Sequence, residues 1–201
     1  MDMFEGCTGQ ELAPELKWLA PPPRCGFKDG RLDIEPRGVT DFFRPYGGEP
    51  HDNACLLYSM VQGDFTAVAA ASATLAGFGD AAALTVRSAP DRWAKICIER
   101  SPAGEVAIVS VVTDGFSDDA NNELLRDARG MLRITRRGNV FGMHFSLDRQ
   151  RWRFVRTFGM DMPAEIMVGV HAQAPFGAGC SAVFTAFTLT PGAVKDFRSG
   201  E

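Results

Sequence analysis

Trp93-Ala94-Lys95-Ile96-Cys97-Ile98-Glu99 alternates apolar and polar residues along its second half. In an extended chain successive side chains point to opposite faces. Trp93, Lys95, Cys97 and Glu99 then share one face, while Ala94, Ile96 and Ile98 make an aliphatic face suited to a core. The alternation recurs on both sides. Thr85 and Arg87 stand opposite Leu84 and Val86, Arg133 and Thr135 opposite Leu132 and Ile134, and His144 and Ser146 opposite Met143 and Phe145. His171 and Gln173 extend the series, and 31–35 sets Leu32 and Ile34 against Arg31, Asp33 and Glu35.

Further strand-like runs cover 54–61, 65–75, 82–87, 94–100, 105–113, 131–136, 140–146, 151–157, 166–172 and 180–190. Turn residues punctuate them at 28–30, 45–50, 77–80, 88–91, 101–104 and 136–139. So many short strands require two packed sheets. The fold class expected is all-β, an antiparallel two-sheet jelly-roll β-sandwich. Two stretches stand apart: 9–19 has the propensity for a short helix broken by Pro14, and 121–129 reads as a loop or one helical turn.

A chain of 201 residues with 45% hydrophobic content buries a substantial core as one domain. We expect an N-terminal arm over 1–17, the sandwich over 18–192 and a C-terminal tail over 193–201. The formal net charge of −4 argues against nucleic acid or an anionic membrane as partner. The first ten residues carry Asp2 and Glu5 where a secretory signal needs basic residues, and the alanine-rich run 67–76 is interrupted by Ser72 and Thr74. A cytoplasmic protein is expected. Cys7, Cys25, Cys55, Cys97 and Cys180 are odd in number and scattered, which suits reduced thiols.

Several short motifs appear in a shared order. They are Thr40-Asp41-Phe42, Gly63-Asp64-Phe65, and Ala83-Leu84-Thr85-Val86-Arg87 followed by the Trp93 to Glu99 run. Ser110-Val111-Val112-Thr113 with Ser117-Asp118 comes next, then Leu132-Arg133-Ile134, Ser146-Leu147-Asp148 with Trp152, and Val168-Gly169-Val170 leading to Pro175. From about Trp18 to Thr190 this pattern resembles the DUF1349 family. The resemblance implies the concanavalin A-like lectin/glucanase jelly roll and a relationship to a yeast regulator of enolase. The chain departs from the family pattern by having Phe43 and Asp119 where the pattern has tryptophan, Cys97 and Arg149 where the pattern has glycine, and Ala174 where the pattern has serine.

One sheet of a jelly roll is concave, and its outward residues line a groove. If the alternating strands adjoin in one sheet, the ligand-binding residues are Arg87, Trp93, Lys95, Glu99, Arg133, His144 and His171. Trp93 and Trp152 would then serve as stacking platforms, as aromatic faces do for sugars. The same alternation also describes any half-solvated sheet, with Lys95 and Glu99 as a surface ion pair.

Glycoside hydrolysis needs two carboxyl groups in different protonation states. Glu99 is the first candidate for a catalytic role, with Asp41 and Asp118 as candidates for the second. Asp33-Ile34-Glu35 has Arg31 where the glucanases of this fold carry another carboxylate, so it reads as a solvated strand face. His51, His144 and His171 lack metal-ligand spacing, and the run Asp114, Asp118, Asp119, Asn121 and Asn122 lacks the order of a calcium loop. No cofactor and no metal are called for. Three readings stay open: a binding module for a carbohydrate or related small metabolite, a glycosidase-like enzyme using Glu99, and a regulatory protein whose partner is a metabolic enzyme.

Overall fold

The computed structural model describes residues 1–177 and 179–201. The first half of the chain supplies β1 (Lys17–Trp18), β2 (Arg24–Lys28), β3 (Arg31–Glu35), β4 (Phe42–Phe43), β5 (His51–Asp52), β6 (Cys55–Gln62), β7 (Phe65–Thr74) and β8 (Ala81–Ala89). The second half supplies β9 (Arg92–Arg100), β10 (Val106–Asp114), β11 (Phe116–Leu125), β12 (Arg129–Arg137), β13 (Val140–Ser146), β14 (Arg153–Gly159), β15 (Glu165–Gln173) and β16 (Ser181–Pro191). Two antiparallel seven-stranded sheets result, in the orders β1-β6-β15-β8-β9-β10-β11 and β14-β13-β12-β7-β16-β3-β2, with β4 and β5 as a separate hairpin.

The inward faces carry the aliphatic half of each alternation. Leu84, Val86, Ala94, Ile96, Ile98, Val168 and Val170 of the first sheet meet Leu132, Ile134, Met143, Phe145, Phe184 and Phe187 of the second in one buried cluster. Ala67, Ala69 and Ala71 on the central strand β7 belong to it too. Their small side chains leave room for the phenylalanines of neighbouring strands, as close packing of an interior demands.

Two expectations about local structure are corrected. Residues 121–129 are a loop only at 126–128: Asn121 through Leu125 complete β11 and pair with β10, Val106 facing Leu125 and Val109 facing Asn121, and Arg129 opens β12. Cross-strand pairing outweighs the helical propensity of Glu123 and Leu124. Nor does 9–19 form a helix, since Gly9 and Phe27 exchange backbone hydrogen bonds of 2.9 and 2.6 Å.

The N-terminal stretch buries Met3, Phe4 and Leu16 in the core, with Met3 N–H donating to the Phe187 carbonyl at 2.7 Å. Residues 193–201 lie against the outer face of the second sheet, where His144 and Arg133 bond the carbonyls of Phe197 and Gly200, each at 2.7 Å. Among the described residues no helix is long and apolar enough to cross a membrane.

Candidate functional site

The segment that carries β4 and β5 crosses the outer face of the first sheet. Thr40 pairs with Ala174 at the end of β15, and Arg44 exchanges bonds with Ser117 at the start of β11. Between these anchors Phe42 turns down onto the sheet and becomes wholly buried. It joins Leu56, Ala83, Trp93, Cys97 and Val109 in a second apolar cluster, separate from the main core. Arg87 fixes the other arm of the hairpin through two bonds to the Asp52 carboxylate, at 2.7 and 2.8 Å, and its guanidinium lies 4.9 Å from the Phe42 ring centroid.

Under that cover lies a polar network. The Lys95 ammonium donates to Gln173 Oε1 at 2.7 Å, to the Phe42 carbonyl at 2.8 Å and to Asp41 Oδ1 at 3.2 Å, which uses all three of its protons. Gln173 donates in turn to the Gly79 carbonyl at 3.0 Å. Because Gln173 Oε1 can only accept, His171 presents Nε2–H to it at 3.1 Å, and His171 Nδ1 receives the Thr85 hydroxyl proton at 2.7 Å. One neutral tautomer of His171 is thereby specified. Burial, reinforced by the positive charge of Lys95, pushes its pKa down to about 3.

Burial works against the Lys95 charge as well, but the Asp41 carboxylate, with help from Glu99, outweighs it, and the ammonium holds its proton above the ordinary lysine range. Glu99 has the opposite history. It is half-buried at the end of β9, burial pushes its carboxyl up to about 7 against the pull of Lys95, and Asp41 and Asp119 add to the rise. Desolvation also drives the Cys97 thiol up, so it stays a neutral packing group.

Asp41 links this network to the surface. The residue, whose carboxylate is bound by Lys95, lines a cavity of about 230 Å³ with Thr40, Phe43, His51, Pro175 and Phe176. Phe176 is 72% exposed yet stacks on Phe78, with ring centroids 5.1 Å apart and planes 11° from parallel. An exposed aromatic face is thus held in one orientation.

Of the residues picked out from the sequence, Arg87, Trp93, Lys95, Glu99 and His171 share the outer face of the first sheet, together with Asp41 above them. Arg133 and His144 do not join them. They face each other across β12 and β13, in the second sheet and on the opposite side of the molecule. Burial lowers Arg133 to about 10, and burial together with Arg133 lowers His144 to about 4. Alternation alone assigns a face but not a sheet, which is why the two sets looked alike.

Trp93 is buried beneath Phe42, its indole N–H donating to the Pro90 carbonyl at 3.1 Å, so it supports the site from below and offers no stacking face. Trp152 stacks on Arg133, 4.1 Å from the guanidinium carbon, again on the far sheet. Asp118 pairs with Val112 and its carboxylate reaches Arg156 of β14 at 3.5 Å, away from Glu99. Its neighbour Asp119, opposite Val111 in the row of Lys95, shares the face of Glu99 and adds to the rise of its carboxyl. Phe42, Gln173, Asp119 and Phe176 are the site residues that the groove assignment left out. The strand parity of β11, once its pairing with β10 is known, identifies Asp119.

Several solved structures are similar to the chain. A functionally unknown protein from Saccharomyces cerevisiae superposes with a TM-score of 0.84 at 26% identity, over 90% of this chain and 98% of that one. A xylan beta-1,4-xylosidase from Bacillus halodurans gives 0.71 at 16% identity, over 90% of this chain but 40% of that one. A legume lectin-like domain from Entamoeba histolytica gives 0.62 at 10% identity, covering 92% and 96%. The last two similarities establish the jelly-roll sandwich fold and nothing further. No curated protein sequence matches the chain. The model of the family described as "Protein of unknown function (DUF1349)" matches residues 18–192, and the chain therefore belongs to the DUF1349 family.

Proposed function

We propose that the protein is a binding module for a neutral carbohydrate or closely related polyhydroxylated metabolite, held at the rim where the crossing segment meets Phe176. The observation that carries this reading is the double role of Asp41. Its carboxylate is bound by a buried ammonium, and the residue lines a cavity with aromatic walls. Sugars are recognised by that pairing, because a fixed carboxylate accepts from hydroxyl groups while a flat ring covers the apolar C–H face. The Phe78–Phe176 stack removes rotamer freedom that a ligand would otherwise have to freeze out. The sandwich shared with a lectin-like domain and a xylosidase adds support by analogy.

Calorimetric titration with xylo-, gluco- and manno-oligosaccharides tests the proposal. Saturable binding that weakens at least about tenfold in Phe176→Ala and in Asp41→Asn, both still folded, is expected. No binding across the panel, or binding indifferent to both substitutions, would sink it.

A second reading rests on Glu99. A carboxyl that keeps its proton near neutrality beside an Asp41 carboxylate paired with Lys95 is the arrangement from which glycosidases draw an acid and a base. Reducing-end assays on the same oligosaccharides decide it. Turnover abolished by Glu99→Gln supports a glycosidase-like enzyme, and no turnover leaves the binding module.

A further inference from the structure

A cavity of about 470 Å³, which shares no lining residue with the one at Asp41, opens beside β12 and β7. On one face Ala70 and Ser72 of β7 stand opposite Met131 and Arg129 of β12, and on the other Ala71 stands opposite Gly130, where neither residue carries more than a methyl group. Three arginines border it, Arg126, Arg129 and Arg149. Arg129 is paired with Asp127 at 3.2 Å, whereas Arg126 and Arg149 make no ion pair among the described residues. On a chain with a formal net charge of −4, two uncommitted guanidinium groups at one concavity form a local excess of positive charge.

Two backbone irregularities place side chains at the same cavity. The pairing of β16 with β7 slips between Phe184 and Ala186, which leaves Thr185 as the extra, exposed residue at the cavity wall. Bulges of this kind re-aim a side chain away from the regular ladder. Arg149 sits in the left-handed region at φ 64°, a conformation that L side chains hold only at a cost. Glycine would be the unstrained choice there. Ser146, also on the wall, is already committed as a donor to Asp148 at 3.1 Å, which leaves Ser72 and Thr185 as hydroxyl donors for a guest.

We infer that this cavity is a second binding site, for a small ligand bearing a phosphomonoester. Guanidinium groups match phosphate oxygens in geometry and charge, and hydroxyls complete the oxygens that the arginines leave. The volume falls in the range of small-metabolite pockets, room enough for a sugar phosphate rather than the anion alone. The site is independent of the carbohydrate rim, with which it shares no residue.

The test titrates the full chain with inorganic phosphate, glucose phosphate and free glucose, following heat and melting temperature. Glucose phosphate is expected to bind saturably, phosphate more weakly, and free glucose not at all at this site. Arg149→Gly should weaken glucose phosphate by about tenfold or more while leaving the melting temperature equal or higher, since it relieves the strained backbone. Arg126→Gln, at an exposed position, should weaken binding without a fold defect. Absence of glucose phosphate binding, or binding unchanged in the Arg126→Gln, Arg149→Gly double variant, overturns the inference. The Phe176→Ala variant should bind glucose phosphate at this cavity as the native chain does.

Discussion

Phe42 stands edge-on over His171, with ring centroids 5.2 Å apart and planes at 66°. That contact turns an open groove into a covered layer, and it explains why so many polar side chains on the outer face of the first sheet are buried. Lys95, Thr85, His171 and Gln173 are each 2% exposed or less, and each has its hydrogen-bond partners. A satisfied buried polar network specifies one arrangement, because any alternative strands a donor or acceptor away from water.

Removing the Phe42 ring should uncover that layer. Phe42→Ala loses a fully buried aromatic side chain, and about 3–5 kcal/mol of stability in urea unfolding is the expected cost. Water then reaches His171, whose pKa should climb from about 3 toward the ordinary histidine value. Resonances of the His171 ring, followed through an acid titration, report it. An unmoved His171 would mean that Phe42 is not what keeps the imidazole dry.

Acid should weaken the native protein through its buried histidines. In the unfolded chain His171 takes up a proton near pH 6.5, but in the native state only near pH 3. Between those values the unfolded state binds more protons, so stability is complete above about pH 6.5 and is lost as the pH falls. His171 alone should remove about 2 kcal/mol by about pH 5. His144, lowered to about 4 by burial and Arg133, adds a loss of the same sign over a shorter window. Urea melts at about pH 7.5 and pH 5 measure the difference, and His171→Gln should flatten the slope.

The alternation from Trp93 to Glu99 was enough to predict its strand, its inward face and the grouping of Lys95 with Glu99. The sandwich class followed from repeating that pattern along the chain, since period-two burial is a local property that a sequence displays directly. Long-range arrangement is different. Arg133 and His144 obey the same parity as Lys95, and only the strand order reveals that β12 and β13 lie in the other sheet. Phe42 and Phe176 lie in or beside connecting segments, where no period constrains direction, so the cover and the aromatic wall could not be read from spacing. The strand 116–125 was hidden for a third reason: its solvent-rich sequence gains its structure from pairing with β10 at the sheet edge.

Glu99 carries the reverse pH dependence. Its carboxyl is pushed up to about 7 in the native state from an ordinary value of 4.5, so the native state is the one that binds more protons between those values. Stability therefore declines as the pH rises through that window, and the loss is complete above about pH 7. Glu99→Gln keeps the shape and removes the ionisation. The variant should match the native chain at about pH 4 and exceed it by about 1–3 kcal/mol at about pH 8. A pH-independent difference would place Glu99 in a more solvated setting than the one described.

Gly169 tests the register that brings His171 and Gln173 under the crossing segment. It pairs with Tyr58 on β6 and Thr85 on β8, in the middle of the first sheet. A Cβ added there would clash with the Leu57 carbonyl oxygen and lie 2.8 Å from Tyr58 Cα. These are backbone atoms held by the β6 ladder, so no side-chain rotation relieves the clash, and β15 must move away from β6. Gly169→Ala is expected to cost about 3 kcal/mol or more despite its single added methyl group. Because His171 is two residues along the same strand, the shift should also disturb its 2.7 Å contact with Thr85. Urea unfolding together with amide exchange along 165–173 checks both effects. A variant with native stability and native exchange protection would show that β6 and β15 pair less closely than this register requires.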